Sequence, residues 1–366
     1  MTRVIISGGG TGGHIFPAIA IAKAIKKLEP GAEILFIGAK GRMEMEKVPA
    51  AGFAIEGLPV SGFQRRLTLK NLVFPFRLAA SLLKARKIVR RFSPDVVIGV
   101  GGYASGPTLR TAAALGIPTL IQEQNSYPGV TNRILASKAV RICVAYDGME
   151  KYFPKEKILL TGNPIREDIA GIRNKNPEAY AFFGLDPAMK TVLVTGGSLG
   201  AGTLNESILG CIGMNLDREM QFLWQTGRNY YARVLVQLSH GRAPNVKVHP
   251  FIDRMDLAFS CADLVVSRAG AIAISEICAA GKPAILIPSP NVAEDHQTKN
   301  ARALQEKNAA VLLKDTEAVE KLHVLVRQLV RNDHRLAELA ANVSKLAIAD
   351  AADRIAREAL SLKKNL

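Results

Sequence analysis

An apolar run, Arg3-Val-Ile-Ile-Ser7, leads into Gly8-Gly-Gly-Thr-Gly-Gly-His14 and then into Ile15-Phe-Pro-Ala-Ile-Ala-Ile-Ala22. The pattern reads as strand, tight turn and helix. Five of the seven turn residues are glycine, so the backbone can come very close to a ligand. Its N–H groups and the helix dipole favour an anion, most often a phosphate. The same design recurs as Thr191-Val-Leu-Val-Thr195 followed by Gly196-Gly-Ser-Leu-Gly-Ala-Gly202. Two such units predict two similar α/β halves around one phosphorylated ligand.

Working outward, short apolar runs alternate with longer helical patterns. Expected strands in the first half are Val4–Ser7, Glu33–Gly38, Val96–Val100, Thr119–Gln122 and Ile142–Ala145. In the second half they are Thr191–Thr195, Gln221–Gln225, Val246–His249, Leu264–Ser267 and Ala284–Pro288. Strands alternating with helices predict parallel sheets covered on both faces. The halves join near Leu160-Thr-Gly-Asn-Pro-Ile165, where Gly and Asn-Pro signal a turn. From about Ala337 the chain is rich in Ala, Leu, Arg and Glu and reads as helix.

A chain of 366 residues suits two domains, and 48% hydrophobic content gives each a sizeable core. The net charge of +16 attracts nucleic acid, anionic membrane or a phosphorylated substrate without choosing among them. Cys143, Cys211, Cys261 and Cys278 form no Cys-x-x-Cys pair. With the scattered histidines they give no metal-site spacing, so they read as small buried residues in a reducing compartment. A strand close to residue 1 leaves no room for a signal peptide, and no long apolar run is present, so a cytoplasmic, non-spanning protein is expected.

Gly8-x-Gly10-x-x-Gly13 matches the dinucleotide fingerprint, but that fingerprint wants an acid about 20 positions on, at the tip of the second strand. Here the tip is Ile37-Gly-Ala-Lys40, with no carboxylate. No Gly-Lys-Ser/Thr follows, so the turn is not a P-loop either. Nicotinamide chemistry is disfavoured, whereas phosphate or sugar contact is not. A third strand-turn-helix lies at Val97-Ile-Gly-Val-Gly-Gly-Tyr-Ala-Ser-Gly-Pro107. Polar residues follow the strands at Gln122–Asn125, Asn163–Arg166, Ser267–Glu276 and Glu294–Asn300. Singly these read as caps or solvated loops. Together they would line one cleft, as ligand sites at domain interfaces commonly do.

Gly9–Ala18, Gly101–Pro107, Glu123–Asn125, Gly162–Arg166, Gly196–Ala201 and Ser267–Ala271 carry, in this order, the motifs of a known family. The chain closely resembles the bacterial N-acetylglucosaminyltransferases that convert lipid I to lipid II in peptidoglycan synthesis. The resemblance implies the GT-B fold, two Rossmann-like domains with parallel sheets facing a central cleft. It implies an N-terminal acceptor and membrane side over residues 1–163. The donor side covers 164–342, and a helix at about 343–366 returns to the first domain. It implies UDP-N-acetylglucosamine as donor, an undecaprenyl-linked acceptor (lipid I) and no cofactor. Cell-wall synthesis proteins are candidate partners.

Positions matching the family's donor contacts are Thr11, Gly12, Gly13, Asn125, Arg166, Ser198, Ile252, Ala271, Ile272, Ala273, Ile274, Ser275, Glu276 and Gln297. Ser198 and the turn amides would hold the diphosphate, with Arg166 adding charge. Ile252 would pack on uracil and offer its backbone to the base, Glu276 would accept from the ribose hydroxyls, and Asn125 and Gln297 would face the sugar. The family often has Thr where this chain has Ala273. The implied reaction inverts the anomeric carbon without a metal, in keeping with the lack of any Asp-x-Asp pair. His14 is the candidate base, with an acceptor-orienting or turn-capping role as the alternative.

Between Gly57 and Pro94 the chain has no acidic residue. Arg77, Lys84 and Arg86 interleave there with Leu72, Phe74 and Phe76. Such a segment is an amphipathic helix with a solvated basic face or a contact to the anionic inner-membrane surface. A lipid-linked acceptor favours the second. Rival readings are another GT-B enzyme (a diacylglycerol glycosyltransferase or a UDP-sugar epimerase), a nicotinamide oxidoreductase, and a membrane or nucleic-acid binding module. No aromatic stacking platform supports nucleic acid.

Overall fold

The computed structural model describes the chain except residues 61–73, 167, 171, 173–174, 198, 240–242, 293–294 and 364–366; for Phe74 it describes the main chain only. Two compact units result. One comprises Met1–Ile165 with Asp350–Leu366, the other Arg166–Ala349.

Unit 1 begins β1 (Arg3–Ser7), α1 (Gly12–Leu28), β2 (Glu33–Ala39), α2 (Glu44–Ala50) and β3 (Ala54–Leu58). It continues α3 (Phe74–Phe92), β4 (Val96–Gly99), α4 (Ser105–Ala114), β5 (Thr119–Glu123), α5 (Val130–Leu135), β6 (Arg141–Val144) and β7 (Ile158–Leu160). All its strand pairs are parallel, in the order β3-β2-β1-β4-β5-β6-β7. In β1, Val4, Ile5 and Ile6 have no exposed surface. A strand covered on both faces needs such a continuous apolar run rather than alternation.

Unit 2 holds α6 (Pro177–Phe183), β8 (Thr191–Thr195), α7 (Gly202–Gly213), β9 (Gln221–Gln225), α8 (Tyr231–Ser239), β10 (Val246–His249) and α9 (Met255–Cys261). Then follow β11 (Leu264–Ser267), α10 (Ala271–Ala280), β12 (Ala284–Leu286), α11 (His296–Gln305), β13 (Val311–Leu312), α12 (Asp315–Val330) and α13 (Asp333–Ser344). Its sheet is parallel in the order β10-β9-β8-β11-β12-β13. Its core centres on Trp224, Phe222 and Leu204, all without exposed surface. The Trp224 indole N–H donates to Asn205 Oδ1 at 3.1 Å, so the large ring is buried with its one polar group satisfied.

After unit 2 the chain returns to unit 1 as α14 (Ala351–Ser361). Ile355, Ala356 and Ala359 sit in the same core as Val4, Ile6, Ile21 and Ile98. Glu358 pairs with Arg141 at 2.7 Å, and Asp353 with Lys27 at 3.5 Å.

The apolar runs do not anticipate β3, β7 and β13. Each lies at a sheet edge, where one flank carries no partner strand. Such strands are short and partly wet: Leu159 and Leu160 are exposed, and β13 spans two residues. They therefore lack the unbroken apolar signature of central strands. The four cysteines are free and buried. Burial pushes the thiols of Cys143, Cys211 and Cys278 up to about 12 and that of Cys261 up to about 11. They are packing groups.

Candidate active site

In open parallel sheets a ligand sits outside the carboxyl ends of the strands, where the strand order reverses. That point lies between β1 and β4 in unit 1 and between β8 and β11 in unit 2. The three glycine turns that the sequence singles out leave β1, β4 and β8, and the polar Ser267–Glu276 stretch leaves β11.

In unit 1 the two turns touch. Gly10 and Gly102 have φ of +89° and +85°. A Cβ on Gly102 would stand 2.3 Å from the Gly9 carbonyl oxygen, so this contact admits only glycine. Thr11 and Gly13 are exposed at the head of α1, and Gly12 and His14 are half-buried. No side chain caps that helix start, which leaves its first N–H groups to a ligand. The Thr11 hydroxyl and His14 Nδ1 are 3.2 Å apart, and the imidazole lies against Gly101.

The Glu123-Gln-Asn125 motif follows β5. The buried Glu123 carboxylate accepts from the Asn125 and Gly129 amides at 3.0 and 3.2 Å and from Asn132 Nδ2 at 2.8 Å. Asn125 Nδ2 also donates to it, at 3.2 Å. Burial pushes the Glu123 carboxyl above its ordinary value, with these donors opposing. Glu123 thus shapes the loop before α5 and takes up part of the Asn125 side chain.

In unit 2 the turn after β8 packs on the turn after β9. A Cβ on Gly200 would stand 2.1 Å from the Thr226 carbonyl oxygen, and one on Gly227 2.2 Å from the Gly200 nitrogen. Gln225 ties the region together. Its Nε2 donates to Thr195 Oγ1 and the Gly197 carbonyl at 3.2 and 3.1 Å, and its Oε1 accepts from the Ile252 N–H at 2.8 Å. The Ile252 N–H is therefore already engaged and its side chain is buried. Ser198 lies outside the described residues.

α10 starts from the extended Gly270 without a side-chain cap. Ala271 and Ile274 are buried, Ile272 and Ala273 half-buried. The Ser275 hydroxyl donates back to the Ala271 carbonyl at 3.0 Å. One turn further, Glu276 pairs with Arg166 Nε at 3.1 Å. Burial raises the Glu276 carboxyl above its ordinary value, and the Arg166 charge opposes that rise. Gln297, on α11, accepts from the Ser289 N–H at 2.9 Å. Arg268 reaches behind this face, bonding to the Ile287 and Pro288 carbonyls at 3.1 and 3.3 Å and pairing with Asp315.

Each unit thus gathers its own set: Thr11–His14 with Gly101 and Gly102, and Arg166, Glu276 and the head of α10. Gln225 and Gly227 are absent from the site residues of the sequence reading, and Arg268 enters it only within the Ser267–Glu276 polar stretch, without a role. The available signal was polar residues directly at the carboxyl ends of apolar strands. Of the segment read as basic, Leu72 and the Phe74 side chain lie outside the described residues. On α3, Ser81, Ala85, Ile88 and Val89 face inward, whereas Phe76 and Leu83 are 78% and 71% exposed beside exposed Arg77 and Arg86. Lys84 instead donates to the Gly57 carbonyl at 2.7 Å.

Tandem parallel sheets of this order with ligand-ready turns at both reversal points define a protein of the GT-B fold class. Residues 4–144 match the glycosyltransferase family 28 N-terminal domain, and residues 191–355 match that family's C-terminal domain. The chain belongs to glycosyltransferase family 28. It is 57% identical over 98% of both chains to a UDP-N-acetylglucosamine–N-acetylmuramyl-(pentapeptide) pyrophosphoryl-undecaprenol N-acetylglucosamine transferase of Parabacteroides distasonis. A transferase of the same name from Cytophaga hutchinsonii is 53% identical over 98% of this chain and 96% of its own. The crystal structure of Acinetobacter baumannii MurG aligns with TM-score 0.79 at 27% identity, covering 99% of this chain and all of the other.

Proposed function

We propose that this chain transfers N-acetylglucosamine from UDP-N-acetylglucosamine to the 4-hydroxyl of the N-acetylmuramoyl unit of lipid I, forming lipid II. The near-full-length match to transferases named for that donor and acceptor carries this reading over an epimerase or a diacylglycerol glycosyltransferase. Unit 2 takes most of the donor and unit 1 the acceptor, with the Thr11–Gly13 turn and Asn125 meeting only the edge of the donor.

The acceptor oxygen attacks the anomeric carbon as the bond from that carbon to the UDP oxygen breaks, inverting α to β. His14 takes the hydroxyl proton. The leaving diphosphate gains negative charge, which the uncapped start of α10, the amides of Gly196–Gly202 and Arg166 stabilise without a metal. Glu276 accepts from the ribose hydroxyls, and Asn125 and Gln297 face the sugar. Among the described residues no helix is long and apolar enough to cross a membrane. We place the enzyme peripherally on the cytoplasmic face, docked through the exposed face of α3.

A transfer assay with labelled donor and a lipid I analogue tests this, run with a chelator, in detergent and in anionic vesicles. Lipid II forms in every arm. Reversing the charges of Arg77 and Arg86 slows transfer in vesicles alone. Absence of transfer overturns the reaction, and loss on chelation overturns the metal-free step.

Donor binding carries a pH signature. Ionised Glu276 is both the ribose acceptor and the partner of Arg166. Because burial raises its pKa, that form begins to disappear at a higher pH than an ordinary carboxylate's would. Affinity for UDP-N-acetylglucosamine, whose diphosphate diester does not titrate there, is full above the raised value and falls as pH drops through it. Glu276→Gln binds about tenfold more weakly above that raised value and loses the pH dependence. Calorimetry across that range decides it; an unchanged pH dependence in the variant removes Glu276 from the donor site.

A further inference from the structure

Glu44 opens α2, 34 residues beyond Gly10 in sequence, yet it is buried beneath the first glycine turn. Its Oε2 accepts from the Gly10 N–H at 2.9 Å and its Oε1 from the Ala39 N–H at 3.0 Å. Space for it is made by two glycines. A Cβ on Gly9 would lie 2.2 Å from Oε1, and one on Gly38 2.5 Å from the Glu44 Cγ. The carboxylate therefore bridges the turn after β1 and the end of β2. Dinucleotide-binding sheets hold a ribose in that corner, using an acid from the second strand. Here the acid enters from the following helix and is spent on the protein's own main chain.

On its far side the clamped turn meets Gly102, and four residues beyond Gly10 stands His14, against Gly101. A shift of Gly9 or Gly10 must move that stack, because no side chain lies between the turns to absorb it. We infer that Glu44 is a positioning residue: an internal carboxylate that closes unit 1 to a nucleotide and sets the turn carrying Thr11–His14 for the acceptor. The inference rests on the proposed reaction, in which unit 1 takes the acceptor.

Steady-state kinetics of Glu44→Ala and Glu44→Gln, with donor and acceptor varied separately, test it. Glu44→Ala is expected to lose about 30-fold in kcat/KM for the lipid I analogue, since two buried N–H groups lose a charged acceptor. UDP-N-acetylglucosamine affinity stays within about twofold of wild type. Formate, a carboxylate small enough for the vacated space, restores part of the Glu44→Ala activity and does nothing to wild type. Glu44→Gln, which keeps one acceptor and adds a donor, falls between the two. Acceptor kinetics unchanged in both variants overturn the clamp. So does a loss in folded Glu44→Ala, verified by its melting curve, that formate cannot restore. A formate-rescued loss that appears in donor affinity instead overturns the assignment of unit 1 to the acceptor and leaves the clamp standing.

Discussion

His14→Ala is expected to lower turnover by about 10²- to 10⁴-fold, the usual contribution of a positioned general base. UDP-N-acetylglucosamine affinity should change by no more than about twofold. The split follows from placement: His14 sits on α1 in unit 1, whereas Arg166, Glu276 and the α10 start sit in unit 2. The Thr11 hydroxyl at Nδ1 fixes the ring plane, and Gly101 gives it room. A Cβ on Gly101 would fall 2.8 Å from Cδ2 and 2.9 Å from Nε2, so Gly101→Ala should displace the ring and reproduce part of the loss. Turnover near wild type would remove His14 as the base. A parallel loss of donor affinity would place it with the UDP instead.

The second large effect is expected at Gly227. Its φ is +83°, and a Cβ there would stand 2.2 Å from the Gly200 nitrogen and 2.3 Å from the Gly200 Cα. The clash is with main chain, which cannot rotate away. Gly227→Ala should cost about 3 kcal/mol or more, combining left-handed strain with displacement of the neighbouring turn. That neighbour is the turn proposed to hold the donor diphosphate, so donor affinity should fall as well. Gly213→Ala is the internal control. A Cβ there meets nothing within 4 Å and Gly213 ends α7, so that change should be neutral or stabilise by about 0.5 kcal/mol. Denaturation curves with and without UDP-N-acetylglucosamine measure both. Equal stabilities for the two variants would show that the turns do not constrain each other.

What the sequence discloses depends on whether cause and effect are neighbours along it. The Gly8–His14 and Gly196–Gly202 turns are legible because strand, turn and helix are consecutive, and glycine density has few other uses. Central strands are legible because burial on both faces forces an unbroken apolar run. Edge strands such as β3 escape, since half-exposed Ala54-Ile-Glu-Gly-Leu58 resembles a loop. The pairing of Arg166 with Glu276 spans 110 residues and leaves no local mark. Glu44 is the clearest case. The sequence shows only that the tip of β2 carries no acid, which disfavours nicotinamide chemistry. The structure fills the corner beside that tip with a carboxylate from the next helix, and only Gly9 and Gly38, far apart in sequence, record the space it needs.

The discontinuity of unit 1 bears on how the chain is made. During synthesis, Arg166–Ala349 emerges whole and can fold as soon as it leaves the ribosome. Met1–Ile165 emerges earlier but stays without Ile355, Ala356 and Ala359, which complete the core against β1 and α1. The first-made domain is thus the last to finish. Until residues 351–361 arrive, apolar surface beside β1 remains open to chaperones and to aggregation, so nascent chains stalled before α14 should need more chaperone protection than released ones.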